Sequence, residues 1–269
     1  MDLIKAIILG LIQGLTEFLP VSSSGHLVIF AEILNFTEEG IAFEVFVHFG
    51  TLLSVLVAFR KDIAKMLSAP FQMLSSKNVE QEIREYWLWD LYIIVGTIPA
   101  VIVGLGFKDT IEGLFNNVLL VYFMLIITGA IMFSAQFLKE KTVQFNYQNS
   151  FLIGIAQAFA ILPGISRSGS TIFTGLACGL NREKVARFSF LLSIPAILGA
   201  VVLKTNDLIK QPPSADELIN LSAGTIVAFI SGYFAIFWLL DIVKKGKLQW
   251  FGYYCFILAA AGITWYFFG

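Results

Sequence analysis

Two short segments of this sequence gather the side chains best suited to chemistry. The first is Gln13-Gly14-Leu15-Thr16-Glu17-Phe18-Leu19-Pro20-Val21-Ser22-Ser23-Ser24-Gly25-His26, and the second is Pro163-Gly164-Ile165-Ser166-Arg167-Ser168-Gly169-Ser170-Thr171. Gln13 and Glu17 are four residues apart, so on a helix they share a face with Gly10 and Gly14. In both segments a proline precedes a Ser/Gly cluster that opens a new helix. A helix start offers unpaired N–H groups and a positive dipole end, the serines add hydroxyls, and Gly25 allows close approach. Arg167 supplies a planar fork of donors that matches phosphate oxygens. His26 can act as a general acid or base, or as a nucleophile, near neutral pH.

Each part has a plainer role when taken alone. The serines can be simple N-caps, His26 a helix–helix hydrogen bond, Glu17 a cap near the membrane surface, and Arg167 its ion-pair partner. As a constellation they suit a phosphorylated ligand, with the carboxylate holding a divalent cation that bridges to phosphate.

The elements that position these residues follow from composition. The 269 residues are 57% hydrophobic and only 14% charged, with a mean hydropathy of +0.80. Soluble domains run at about 45–50% apolar and about 25% charged, so this is an integral membrane protein. A net charge of -1 gives no field to attract nucleic acid. Cys178 and Cys255, both in apolar runs, exclude a disulfide scaffold and a Cys-based zinc site. Lys5 ahead of the apolar run 6–15 imitates a signal peptide, but no small-residue cleavage site follows. The run is therefore expected within the mature fold.

Six stretches, 42–59, 86–107, 118–137, 188–203, 219–243 and 250–268, are apolar enough to cross a bilayer core of about 30 Å. Regions 3–34 and 151–180 are each split near the middle, and their halves are short for a span. They read as re-entrant helical hairpins, tolerated at membrane depth only where protein or a wet cavity surrounds them. The two regions also repeat each other. Gln13-Gly14 matches Gln157-Ala158, Gly10 matches Gly154, and Ser22-Ser23-Ser24-Gly25 matches Ser166-Arg167-Ser168-Gly169, all at an offset of 144; Pro20 and Pro163 miss it by one. The expected fold is an all-α polytopic membrane protein with an inverted-topology repeat, each half a re-entrant hairpin plus three transmembrane helices. It forms one membrane domain over 1–269, with repeat one at 1–140 and repeat two at 150–269. Such repeats place their site near the midplane where they meet.

Segments 60–86, 138–150, 181–187 and 244–249 carry Arg60, Lys61, Lys65, Lys77, Arg84, Lys139, Lys141, Arg182, Lys184, Arg187, Lys244, Lys245 and Lys247, against Lys5, Lys108, Lys204 and Lys210 on the other side. The basic side is expected in the cytoplasm, which turns the mouth of the first hairpin outward. Arg167 alone is left inside the membrane, where an ionisable group marks a functional site. Glu44 and His48 are weaker candidates, lining the same cavity or sitting at the interface. Asp241 reads as a surface pair with Lys244, Asp90 as a residue near the membrane surface, and 60–86 as a polar cytoplasmic loop.

The two motifs resemble the signatures of the undecaprenyl-diphosphate phosphatases, the bacterial bacitracin-resistance membrane proteins, and the resemblance covers the full chain. It implies hydrolysis of undecaprenyl diphosphate to undecaprenyl phosphate and inorganic phosphate, recycling the lipid carrier of peptidoglycan synthesis in the plasma membrane. It implies a divalent cation, Mg²⁺ or Ca²⁺, and a site opening to the outer face. The family's acidic pair falls on Gln13 and Glu17. Many relatives carry Glu at the first position, so Glu17 is expected to bear more of the metal binding. The motif serine, histidine and arginine fall on Ser23, His26 and Arg167, with the attacking group open between His26 and a serine. On this reading His26, Glu17, Ser23 and Arg167 are catalytic, Glu17 and Gln13 hold the metal, and Ser22, Ser24, Gly25, Ser166, Ser168, Gly169, Ser170 and Thr171 bind substrate. The implied partners are undecaprenyl diphosphate and the lipid bilayer, with no nucleic acid; a homodimer is compatible. From the residues alone a transporter competes, because inverted repeats with broken helices are a transporter architecture. A scaffold leaves the clustered intramembrane polar residues unexplained.

Overall fold

The computed structural model describes residues 3–34, 40–75, 79–139, 141, 143–210 and 213–268, and these are helical with no strand among them. Helices α1 (Leu3–Phe18) and α2 (Ser23–Ile33) form a first hairpin. Helix α3 (Gly40–Ala58) follows, then α4 (Arg60–Ser75), α5 (Gln81–Gly106), the short α6 (Lys108–Leu114) and α7 (Val118–Ser134). A second hairpin, α8 (Tyr147–Phe159) and α9 (Arg167–Ala177), precedes α10 (Arg182–Lys210), α11 (Ala215–Lys244) and α12 (Gln249–Phe268). Helices α5, α7, α10, α11 and α12 are long and apolar enough to cross a membrane, and α3 with α4 adds a bent sixth. The hairpin helices have 16, 11, 13 and 11 residues. At about 1.5 Å per residue they reach roughly 16–24 Å, short of a full span. Large apolar side chains such as Ile94, Ile102, Phe123, Phe234 and Ile257 point outward, as lipid-facing residues do.

Segment 60–86 is not a polar loop. It contains α4, which turns 79° away from α3, and the start of α5. The charges of Arg60, Lys61, Asp62 and Lys65 hide a helical period. Met66 and Ala69 are buried, while Leu67, Phe71 and Leu74 form an exposed apolar stripe at the spacing of an amphipathic helix that lies along a membrane surface. Asp241 pairs with Lys245, one residue beyond the expected partner, because i,i+4 neighbours meet on a helix. Lys244 instead reaches Glu183 at 3.2 Å. Asp90 is half-buried, with Oδ2 lacking a hydrogen-bond partner.

Small residues bring the hairpins against the spans. A Cβ on Gly10 would lie 2.4 Å from the Gly224 carbonyl oxygen, joining α1 to α11, and one on Gly154 would lie 2.4 Å from the Gly96 oxygen, joining α8 to α5. Helix crossings in membranes use small residues because backbones must approach closely to gain dispersion energy. Ala6, Leu9 and Gly10 of α1 are buried beside Phe43, Val47, Leu221 and Ala228, so the first apolar run is part of the core. A larger core joins both hairpins, with Phe18 edge-on to Phe190 at 5.7 Å and Phe59 at 5.5 Å from the same ring.

These crossings give a prediction. Gly10→Ala and Gly154→Ala should each cost about 1–3 kcal/mol through overpacking and lower the thermal unfolding midpoint in detergent. Gly113→Ala, whose new methyl meets nothing within 4 Å, should leave the midpoint unchanged. Equal midpoints in all three variants would contradict the crossing geometry.

Candidate active site at the meeting hairpin tips

Both tips end in the same local device. Ser22 caps α2 by accepting from the Gly25 N–H at 3.2 Å, and Ser166 caps α9 by accepting from the Gly169 N–H at 3.1 Å. Each cap hydroxyl also contacts the serine two residues on, Ser24 at 3.3 Å and Ser168 at 3.2 Å. The first-turn N–H groups of Ser23, Ser24, Arg167 and Ser168 have no intrahelical acceptor in such a geometry. The turns themselves differ. Ser22 takes φ 70, and in the second turn the positive φ falls on Gly164 at 92. A non-glycine residue in that region stores strain, which surrounding contacts must hold.

The tips interlock. The Ser168 hydroxyl donates to the Leu19 carbonyl at 3.3 Å. A Cβ on Gly25 would come within 3.1 Å of Gly164 Cα, and one on Gly169 within 3.2 Å of Pro20 Cβ. A methyl at either position would be tighter than ordinary van der Waals contact, so a neighbour would have to shift by a few tenths of an ångström. Helix α7 fixes the second tip through Thr128, whose hydroxyl donates to the Gly164 carbonyl at 2.8 Å and accepts from the Ser166 N–H at 3.0 Å.

At the junction lies the Glu17 carboxylate. Arg167 Nη2 donates to Oε1 at 2.7 Å, while Oε2 accepts from the Ser23 hydroxyl at 2.6 Å and from Gln13 Nε2 at 3.0 Å. His48 Nε2 faces the same Oε2 at 3.8 Å. The side chains of Glu17 and Arg167 keep only 7% and 14% exposure. Arg167 Nη1 also reaches the Ser189 carbonyl at 3.4 Å. Ser23 and Ser24 are half-buried, so they are the tip hydroxyls closest to an open path.

The structure therefore brings together Gln13, Glu17, Ser23 and Arg167. His26 shares no described contact with them. It is buried, Nδ1 sits 2.8 Å from the Ser22 carbonyl, and Nε2 lies 2.7 Å from the Tyr254 hydroxyl. Thr171 is fully buried, its hydroxyl held by the Arg167 and Ser168 carbonyls and by Ser189. Ser170 is buried and its N–H bonds the Ser166 carbonyl at 2.9 Å. His48 was only a weak candidate in the sequence. Its spacing from Glu44 places it on α3 but says nothing of which helix α3 meets, and Ser189 and Tyr254 gave no local signal at all.

Among the described residues no three His, Cys, Asp or Glu side chains come together as a metal cage. What the site offers is one carboxylate and Gln13 Oε1, a buried oxygen without a hydrogen-bond partner. That donor set fits a cation that takes its other ligands from phosphate oxygens and water, as Mg²⁺ commonly does. Beside the second tip an apolar groove of about 490 Å³ runs between α5, α6 and α8, lined by Ile102, Val103, Phe107, Phe151, Ile161 and Leu162 among others.

Residues 6–261 match the family model described as bacitracin resistance protein BacA. Proteins named undecaprenyl-diphosphatase are similar along nearly their whole length. That of Christiangramia forsetii is 44% identical with 98% of each chain covered, and that of Halothermothrix orenii is 43% identical with 96% of each covered. That of Carboxydothermus hydrogenoformans is 44% identical over 98% of this chain and 96% of the relative. With its two motifs meeting in one buried cluster and its relatives matching end to end, the chain belongs to the bacitracin resistance protein BacA family.

Proposed function

We propose that this chain is an undecaprenyl-diphosphate phosphatase: it hydrolyses undecaprenyl diphosphate to undecaprenyl phosphate and inorganic phosphate, returning the lipid carrier to cell-wall synthesis. The observation that carries this reading is the shared Glu17 carboxylate. It holds Arg167 on one oxygen and the Ser23 hydroxyl on the other, at the junction of two helix N-termini. A nucleophile bonded to a base is the arrangement that covalent catalysis needs.

The terminal phosphate lies against the tips, where the free N–H groups and the Arg167 guanidinium meet its oxygens. Ser23 Oγ attacks the terminal phosphorus and passes its proton to Glu17. The phosphoanhydride bond breaks and undecaprenyl phosphate leaves. Water then attacks the phosphorus, the Ser23 Oγ–P bond breaks, Glu17 returns its proton to Ser23 Oγ, and inorganic phosphate leaves. Charge on the equatorial oxygens is met by Arg167 and the helix ends, the main contribution expected in phosphoryl transfer. Glu17 and Gln13 would hold a divalent cation, which when bound would neutralise phosphate charge and polarise the phosphorus. His26 is a positioning residue: in the neutral ring its Nδ1–H donates to the Ser22 carbonyl and steadies the strained cap. The groove beside Ile161 and Leu162 accommodates part of the prenyl chain. A transporter for the same lipid explains the anion site but gives the Ser23–Glu17 bond no task.

The tips also support an inverted repeat. The same serine caps recur 144 positions apart, and Gly10 and Gly154, equally spaced, each meet a spanning-helix glycine. With the basic segments in the cytoplasm, the first hairpin opens outward and the site faces the outer side of the plasma membrane.

Phosphate release by purified protein in detergent tests the chemistry. Ser23→Ala should fall to background, Arg167→Lys should lose about 10²–10³-fold in kcat, and His26→Gln should keep measurable turnover. EDTA should stop release in the wild type. Normal turnover by Ser23→Ala or Arg167→Lys would overturn the assignment. For orientation, single cysteines in a background without Cys178 and Cys255 should report sidedness in intact cells. Gly113→Cys should react with an impermeant maleimide and Lys245→Cys should not; the reverse pattern would invert the topology.

A further inference from the structure

His48 lies on α3, outside both motifs, yet it faces the carboxylate at their centre, with Nε2 3.8 Å from Glu17 Oε2. Its Nδ1 is 2.7 Å from the Glu44 carbonyl oxygen. A carbonyl can only accept, so Nδ1 carries the hydrogen and the neutral ring turns the Nε2 lone pair toward Glu17. A lone pair and a carboxylate oxygen repel each other unless a positive charge lies between them. Arg167 Nη2 meets the other oxygen, Oε1, at 2.7 Å, which leaves Oε2 as the oxygen facing His48.

Three features suit a shared metal ion. Metal-bound histidines characteristically donate their far ring N–H to a carbonyl or carboxylate, which fixes the tautomer and aims the lone pair. Two donors on one cation sit roughly 3–3.5 Å apart at ordinary bond angles, since each bond is about 2.0–2.2 Å, so the 3.8 Å between His48 Nε2 and Glu17 Oε2 would close slightly on binding. The third feature is Gln13: its side chain is fully buried, Nε2 is 3.0 Å from the same Glu17 Oε2, and Oε1 has no hydrogen-bond partner.

We infer that His48 Nε2, Glu17 Oε2 and Gln13 Oε1 together form one divalent-cation site, with His48 as its nitrogen ligand. The inference rests on the cation-assisted reading of the tips given above and adds a residue that neither motif contains. It also changes the metal the site prefers. Mg²⁺ and Ca²⁺ favour all-oxygen surroundings, whereas an imidazole ligand suits first-row ions such as Fe²⁺, Ni²⁺ and Zn²⁺; Mn²⁺, the weakest binder of that series, accepts oxygen and nitrogen donors together. Mn²⁺ should therefore bind this chain more tightly than Mg²⁺.

The chain has only two histidines, so variants can assign a nitrogen ligand completely. Protein purified without a histidine tag and stripped with EDTA would be loaded with Mn²⁺ alone and measured by pulsed electron paramagnetic resonance for ¹⁴N coupling. The expected result is imidazole coupling in the wild type and in His26→Gln, and its loss in both His48→Gln and His48→Ala. Mn²⁺ affinity should fall by about tenfold or more in the His48 variants, while His48→Gln, which keeps an oxygen donor, should change Mg²⁺ affinity much less. Bound Mn²⁺ without coupling in the wild type, coupling that survives in His48→Gln, or no Mn²⁺ binding by folded protein would each overturn the inference. Phosphate release measured with Mg²⁺ on the same sample separates the two claims. Turnover without nitrogen coupling removes His48 from the site and leaves the phosphatase standing; absent turnover removes the phosphatase reading itself.

Discussion

A carboxylate and a guanidinium taken out of water each cost several kcal/mol, which is recovered only when the two meet in good geometry with their remaining donors and acceptors satisfied. Glu17 and Arg167 meet at 2.7 Å across 150 residues of chain, and both are largely buried. The pair therefore fixes where one hairpin tip ends relative to the other. Once Arg167 occupies Oε1, Oε2 is turned toward Ser23, Gln13 and His48. One electrostatic contact thus sets the direction of a hydroxyl, an amide and an imidazole.

The surrounding fold makes this contact affordable. The hairpins cannot float in lipid, because their broken ends expose backbone groups that hydrocarbon cannot satisfy. They are held by glycine crossings with α11 and α5, and at the tips by Gly25 against Gly164 and Gly169 against Pro20. Thr128 of α7 then satisfies both a donor and an acceptor of the second turn. The strain at Ser22 sits beside the proposed nucleophile, restrained from one side by His26 and Tyr254.

Much of this was legible in the sequence, because intramembrane charge and interrupted hydrophobic runs are rare enough to be informative. Glu17, Arg167 and the serine caps were found from residue type and spacing alone, and the six apolar stretches correspond to α3, α5, α7, α10, α11 and α12. What escaped depended on tertiary packing. Helix α4 was hidden because its charges lowered the hydrophobicity of an amphipathic surface helix. His26 lies in the motif, yet its ring nitrogens turn to Ser22 and to Tyr254, a residue 228 positions away. His48 meets Glu17 only because α3 packs beside α1, which no periodicity within α3 reveals. Glu17 and Gln13 were expected from the sequence to hold a metal, but the unpartnered state of Gln13 Oε1 is a property of burial that no spacing shows.

The central claim is that Glu17 and Arg167 act as one unit joining the two tips. A double-mutant cycle of Glu17→Gln and Arg167→Gln, read by thermal unfolding of folded protein in detergent, tests it most directly. The account predicts that each single change strands a buried charge and destabilises by about 3–5 kcal/mol. The double variant, which strands neither, should be no less stable than either single variant. Single changes with no effect, or losses that simply add in the double variant, would contradict it.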